Sequence, residues 1–169
     1  TGRCADVGKI TLQSMRGLSA RAEITAQLAR HPNIVGIKDG KKELDHLAKI
    51  IYLTRNEDFL VFTGKDTTAY PLVAFGGAGS FTVSGNVIPD VMGKMIHFAL
   101  NGELLKAQEL HYSYYTLFEA CRFETNPMAA KKALELMVLI DGTLRTPLTP
   151  LSEAKTNVLT SLLKERGVI

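Results

Sequence analysis

The segment NIVGIKDG, residues 33 to 40, ends a short apolar run with a single lysine, Lys38. A lysine is costly inside a protein core, so this residue has one of two purposes at the end of a buried strand. It either reaches water where the strand leaves the core, or it is an amine held for chemistry. The flanking Gly36 and Gly40 indicate tight backbone geometry in both cases.

Other segments could contribute to such a site, and some kinds of site are disfavoured. FTGKD ends a second β-rich run at Gly64, a residue that a plain strand-to-helix turn would also favour. GGAG, residues 76 to 79, lacks the spacing of a phosphate or dinucleotide loop and predicts a tight turn.

Cys4 and Cys121 form no disulfide framework, and the four histidines show no metal-ligand spacing. We expect no disulfide and no metal.

Composition describes an ordinary globular protein. The chain has 169 residues, is 46% apolar and 22% charged, and carries a net charge of +3. This charge and the lack of a basic tract argue against a nucleic-acid partner. Lys94 and His97 interrupt the apolar stretch VMGKMIHFAL before it could span a bilayer, and the amino end has no signal-peptide pattern. We therefore expect a cytoplasmic protein without a membrane partner.

Helical and strand-like segments alternate in the first half of the chain. Parallel strands joined by crossover helices produce this alternation, so the fold class is α/β. Ser19 is the predicted cap of the first helix. In order, the segments are the helix SARAEITAQLAR, the strand NIVGIK, the helix KKELDHLAKIIYL, the strand FLVFTG, the short helix DTTAYPLVAFG and the strand-like run GSFTVSGNV.

After Asn86 the pattern is helical only. Pro89 is placed to open a helix that Gly102 ends, and Ser152 is placed to begin the last helix. Asn86 and Asn126 are predicted as helix caps. The predicted organisation is an unassigned segment at residues 1–17, a partial (β/α) barrel of about three parallel strands at 18–86, and barrel-end and carboxyl-terminal helices at 87–169.

An ordered set of motifs carries a family resemblance. From residue 18 to residue 169 the chain resembles the dihydrodipicolinate synthase and N-acetylneuraminate lyase family, and most closely its synthases. The motifs are HPNIVGIKDG, FTGKD, FGGAGSFTVSGNV, FETNPMAAKKALELM and DGTLRTPLTPLSEA. The resemblance implies a TIM (β/α)8 barrel with added carboxyl-terminal helices, an oligomer, and a Schiff base between pyruvate and a lysine. That lysine corresponds to Lys38.

The resemblance also implies a reaction and two further site residues. The iminium of pyruvate becomes an enamine that attacks an aldehyde, aspartate semialdehyde in the synthases of lysine biosynthesis, whereas the lyases cleave a sugar acid. No cofactor takes part. Gly64 matches a position where backbone meets substrate. Phe81 matches a position near pyruvate that usually holds a smaller aliphatic residue, so its ring would narrow the pocket.

The family's first barrel half has no recognisable counterpart. A whole barrel takes about 250 residues, and neither the family's proton-relaying threonine pair and tyrosine nor its substrate-binding arginine can be located. Three strands would leave open edges, so we expect a homo-oligomer or a complementary half-barrel chain. The functional alternatives are a truncated and weakened class I aldolase of the synthase type, an N-acetylneuraminate-lyase-type or other 2-oxo acid aldolase, and a non-catalytic assembly or regulatory subunit.

Overall fold

The computed structural model describes residues 10–12, 21–40 and 43–169. The chain forms two compact units, Thr1–Phe81 and Thr82–Ile169. The first contains a parallel sheet with helices, and in its described part the second is helical. The predicted cap Ser19 lies outside the described residues.

Four strands form the sheet in the order in which they occur along the chain. Every neighbouring pair is parallel, and Lys38 lies opposite Phe62 in the register. The predicted α/β alternation is confirmed, with one strand more than the three read from the sequence. That strand is the first one, in the segment left unassigned. The strands are β1 (Ile10–Leu12), β2 (Gly36–Asp39), β3 (Leu60–Thr63) and β4 (Gly79–Ser80).

Three helices accompany these strands: α1 (Ala22–Leu28), α2 (Leu44–Thr54) and α3 (Ala69–Ala74). Apolar residues recur at helical spacing along α2, so that Leu47 and Ile50 become fully buried. They belong to the same buried cluster as Ile37 of β2 and Val61 of β3. One face of the sheet is thereby covered by its own helices.

The strand predicted over GSFTVSGNV is wrong beyond its first residues. Only Gly79–Ser80 pair with β3 as a strand, and a 3-10 turn occupies Ser84–Asn86. The Gly85 N–H donates to Thr82 Oγ1 at 2.9 Å. A threonine hydroxyl that bonds its own local backbone offers the chain a turn in place of a ladder, which physically explains why the strand stops.

The second unit contains α4 (Pro89–Leu100), α5 (Leu104–Ala120), α6 (Met128–Leu136) and α7 (Glu153–Glu165). Three predicted boundary signals are confirmed. Pro89 opens α4, Gly102 follows it with a φ of +79°, and Ser152 Oγ accepts the Lys155 N–H at 3.4 Å at the start of α7. No helix in the described ranges is long and apolar enough to cross a membrane.

Neither asparagine predicted as a cap occupies a capping position. Asn86 lies inside the 3-10 turn, where its Nδ2 donates to the Val83 carbonyl at 3.0 Å, and Ile88 is the residue that precedes α4. Asn126 lies one residue too early, because Pro127 occupies the position before α6. Both predictions were wrong for a local reason, since the turns start or end a residue or two away from the asparagine.

The carboxyl end of α6 carries a strained residue. The Val138 N–H donates to the Glu135 carbonyl at 2.9 Å, and the Leu139 N–H donates to the Leu134 carbonyl at 3.0 Å. These are the two hydrogen bonds of a Schellman cap, whose left-handed residue is usually glycine. Here it is Val138, with a φ of 59°. A β-branched side chain in this conformation is sterically unfavourable.

Candidate active site

Lys38 lies on the face of the sheet opposite the helix-covered core. Successive side chains of a strand point to opposite faces. Ile37 is 2% exposed within the cluster shared with α2, and Asp39 lies beside His46 of α2. Lys38 between them therefore points the other way, and it is half-buried. The strand supplies the amine at its carboxyl end, where the chain leaves the sheet.

Gly64 lies directly against the side chain of Lys38. It follows β3, and its N–H donates to the Asp39 carbonyl at 2.7 Å, which joins the ends of β2 and β3. A Cβ at position 64 would stand 2.8 Å from Lys38 Cε and 3.3 Å from the Cα of Gly40. Real Cβ atoms do not stand 2.8 Å from another atom, so the glycine at position 64 leaves space for the lysine side chain.

Two aromatic rings lie beside the amine. Lys38 Nζ is 5.7 Å from the centroid of the Phe81 ring, within the range of a cation–π contact. Phe62, the register partner of Lys38, meets Phe81 edge to face with ring centroids 5.2 Å apart. The Phe81 N–H donates to the Thr63 carbonyl at 2.9 Å, which anchors its backbone next to β3. Phe81 remains 42% exposed.

A buried acidic residue follows the lysine directly. Asp39 is 1% exposed, and its Oδ2 lies 3.2 Å from Nε2 of His46, whose side chain is 14% exposed. The two atoms are at ion-pair distance without the alignment of an N–H···O hydrogen bond. A buried carboxylate is costly unless a partner compensates for its lost hydration. His46 is a partner of this kind, contributed by the first turn of α2.

A threonine pair shapes the turn after Gly64. Thr63 Oγ1 and Thr68 Oγ1 are 2.7 Å apart and buried, and the Lys65 N–H donates to Thr63 Oγ1 at 3.0 Å. Thr68 Oγ1 also donates to the Lys65 carbonyl at 3.1 Å. These hydroxyls are engaged in closing the turn that carries Gly64, so we assign them no part in proton transfer.

The structure brings together all three residues that the sequence singled out: Lys38, Gly64 and Phe81. Among the described residues, no group of three or more histidine, cysteine, aspartate or glutamate side chains is arranged to hold a metal ion.

Three neighbours of the site were not predicted. Phe62 could have been found, because the apolar run FLVFTG ends at the same level as NIVGIK in a parallel sheet. Asp39 carried a weaker signal as an acidic residue directly after a strand. His46 carried none, because its position depends on how α2 is rotated against the sheet.

Comparison with known proteins identifies the family. The model of the dihydrodipicolinate synthetase family matches residues 11–166. The chain belongs to this family. A 4-hydroxy-tetrahydrodipicolinate synthase of Methanoculleus marisnigri is 42% identical over 151 residues, which are 89% of this chain and 52% of that protein. The synthase of Thermosipho africanus is 38% identical over 158 residues, 92% of this chain and 54% of that protein.

Solved structures agree with this assignment. Dihydrodipicolinate synthase of Thermotoga maritima superposes with a TM-score of 0.91 at 33% identity, over 95% of this chain and 56% of that one. The enzyme of Acinetobacter baumannii, solved in complex with pyruvate, gives a TM-score of 0.89 at 32% identity over 95% and 55%. The chain thus spans about half the length of the relatives that it matches. Its fold is part of a TIM barrel followed by the family's carboxyl-terminal helices.

Proposed function

We propose that this chain carries the pyruvate-binding amine of a Schiff-base lyase of the dihydrodipicolinate synthase type, and that Lys38 is that amine. The observation that carries this proposal is the position of Lys38. It leaves the carboxyl end of β2 on the face opposite the helices, with its shank against Gly64 and its Nζ over Phe81. Active sites of (β/α)8 barrels lie at the carboxyl ends of the strands.

The chemistry follows from a free amine at this position. Lys38 Nζ attacks the ketone carbon of pyruvate. The carbonyl oxygen then leaves as water, and the nitrogen and the former ketone carbon are joined as an iminium. The positive nitrogen withdraws electrons, so a base can remove a methyl proton and give an enamine. The enamine carbon then bonds to the carbonyl carbon of an aldehyde, and water releases the product and regenerates the amine. With a base to move the protons, these steps need no metal or organic cofactor.

Gly64 and Phe81 have complementary roles in this proposal. Without a side chain, Gly64 lets substrate and lysine approach the backbone at the end of β3. The Phe81 ring forms an apolar wall beside the amine, and the Phe81 side chain remains partly exposed. Such a wall limits the size of the substrate and excludes water from one side of the imine.

We propose aspartate semialdehyde as the aldehyde, in lysine biosynthesis in the cytoplasm. The identity to 4-hydroxy-tetrahydrodipicolinate synthases over most of this chain supports this choice. A second candidate of the same class is a lyase that releases pyruvate from a sugar acid or another 2-oxo acid. Phe81 favours this candidate because a bulkier side chain beside the amine can change which aldehyde fits the site.

The sheet supports a further proposal about partners. Among the described residues, β1 and β4 are the edges of an open four-stranded sheet. Parallel edges and an uncovered face are unfavourable in water. A second copy, or a chain that carries the other half of the barrel, would cover them and contribute proton-transfer groups. Such general acid–base groups contribute roughly 10²–10⁴-fold to rate.

The enamine step provides the test. The purified chain is incubated with pyruvate in D2O, and proton NMR follows the loss of the methyl signal. We expect exchange faster than in buffer, abolished in Lys38→Ala and retained in Lys49→Ala, which removes an exposed lysine of the same unit. Addition of aspartate semialdehyde, or release of pyruvate from N-acetylneuraminate, then separates the synthase from the lyase.

The open sheet also favours a non-catalytic candidate, a subunit that assembles with an active chain. It predicts no exchange by the purified chain. Exchange that appears only after addition of a full-length synthase whose own imine-forming lysine has been replaced, and that still requires Lys38, would indicate a complementing half. Exchange independent of Lys38 would contradict the proposed function.

A further inference from the structure

We propose that Asp39 and His46 form a positioning pair that holds Lys38 in place from the opposite face of the sheet. The inference rests on the proposed function of Lys38 and deepens it. Both residues are positioning residues, because their effect reaches the amine through β2 and through Gly64. The pair is formed by the residue after the lysine and by one in the first turn of α2.

The core of the first unit holds the Asp39–His46 pair in place. Asp39 is 1% exposed and ends β2, and His46 Nε2 lies 3.2 Å from Asp39 Oδ2. The next residue of α2 is Leu47, which is fully buried in the same cluster as Ile37. The histidine therefore comes from a helix turn that the core itself fixes against β2.

The backbone of Asp39 is connected to the lysine side chain through Gly64. The Asp39 carbonyl accepts the Gly64 N–H at 2.7 Å, and a Cβ on Gly64 would lie 2.8 Å from Lys38 Cε. The hydrogen bond from Gly64 to the Asp39 carbonyl thus fixes the position of Gly64. The aliphatic part of the Lys38 side chain packs against Gly64. A rotation of Asp39 would therefore shift Gly64 and the lysine side chain that lies against it.

His46→Leu removes the contact that ties the end of β2 to α2, and with it one of the groups that compensate the buried carboxylate of Asp39. Loss of a compensating partner from a buried charge is destabilising, so we expect the end of β2 to shift position. Reaction rates depend steeply on such placement, because a displacement of about 1 Å can cost on the order of a hundredfold.

The experiment compares three variants at a temperature at which each is folded. His46→Leu removes the partner, and His46→Gln keeps a donor near Asp39. Thr54→Val is the matched control, because it removes a buried hydrogen bond to the Ile50 carbonyl at the other end of α2. Two rates are measured by mass spectrometry: trapping of the pyruvate imine at Lys38 with borohydride, and acylation of Lys38 by an N-hydroxysuccinimide ester relative to Lys94.

We expect imine trapping to fall about tenfold in His46→Leu, with faster acylation of a loosened Lys38. His46→Gln should restore most of both rates. Thr54→Val should lower stability and leave both rates unchanged. Wild-type rates in His46→Leu, with only its stability lowered, would overturn the positioning role and leave a structural pair.

Two further outcomes are also decisive. If the wild-type chain forms no imine, the proposed function fails, and the acylation rate alone decides whether the pair positions Lys38. If His46→Leu does not fold, the double variant Asp39→Asn with His46→Leu removes the buried charge as well. Slow trapping and fast acylation in that double variant would support the pair, whereas wild-type rates would overturn it.

Discussion

The two faces of the sheet in the first unit are covered to different extents. On one face Ile37 and Val61 are 2% and 4% exposed and share a core with α2. On the other face Leu60 and Phe81 are each 42% exposed, and Lys38 is half-buried with its amine over the Phe81 ring. Burial of apolar surface drives folding, so the covered face stabilises the unit. The open face holds the groups that can do chemistry.

The largest expected effect is on stability. The two faces of the sheet can be compared with the same substitution, leucine to alanine, on each face. Leu47→Ala empties a fully buried position and should lower the free energy of unfolding by about 2–5 kcal/mol. Leu60→Ala, on the open face, should cost roughly 1 kcal/mol. Urea denaturation monitored by circular dichroism measures both. Equal losses would mean that the open face is packed as tightly as the core.

Two glycines beside the open face should respond differently to an added methyl group. In Gly64→Ala the Cβ displaces the flexible end of Lys38, so imine formation should fall about 10- to 100-fold with little loss of stability. In Gly36→Ala the Cβ would stand 2.5 Å from the Leu60 carbonyl oxygen, which belongs to the backbone. The free energy of unfolding of that variant should fall by about 1–3 kcal/mol. Imine trapping and urea unfolding on both variants test this, and an unaffected imine rate in Gly64→Ala would contradict it.

Phe81 should control substrate size. Phe81→Ile opens space next to the amine, and the preference for a larger over a smaller aldehyde should increase roughly tenfold. Phe75→Ile provides the control, since Phe75 is 50% exposed at the end of α3. Competition assays with two aldehydes give the ratio. An unchanged ratio in Phe81→Ile would exclude Phe81 from the substrate wall.

The smallest effect lies in the helical unit, where strain is unrelated to the proposed chemistry. Val138→Gly relieves a valine at a φ of 59° and should raise the free energy of unfolding by about 1 kcal/mol. Val158→Gly, on the exposed side of α7, should lower it by about 0.5–1 kcal/mol. Thermal unfolding of both variants measures the difference. Destabilisation by both would show that the left-handed valine carries no strain.

Local signals predicted much of this fold. Pro89, Gly102 and Ser152 mark helix boundaries through rules that depend on a few neighbouring residues, and all three were confirmed. β1 was missed because three residues become a strand only by pairing with β2. The strand beginning at Gly79 was predicted too long because the hydroxyl of Thr82 bonds its own turn.

Residues of the candidate site could be predicted only where a motif singled out a particular residue type. Lys38, Gly64 and Phe81 carried signals in their motifs, and the structure places both Gly64 and Phe81 beside the side chain of Lys38. The pairing of Asp39 with His46 left no periodic pattern, because it depends on the docking of α2 on the sheet. Tertiary geometry of this kind has no signature in a single sequence.

The most direct measurement of the central claim is covalent trapping. The purified chain is treated with pyruvate and borohydride, digested and mapped by mass spectrometry. We expect a reduced adduct on Lys38, absent from Lys38→Ala and unchanged in Lys49→Ala. A folded wild-type chain that gives no adduct, or an adduct distributed over exposed lysines and unaffected by Lys38→Ala, would contradict the assignment of Lys38 as the imine-forming amine.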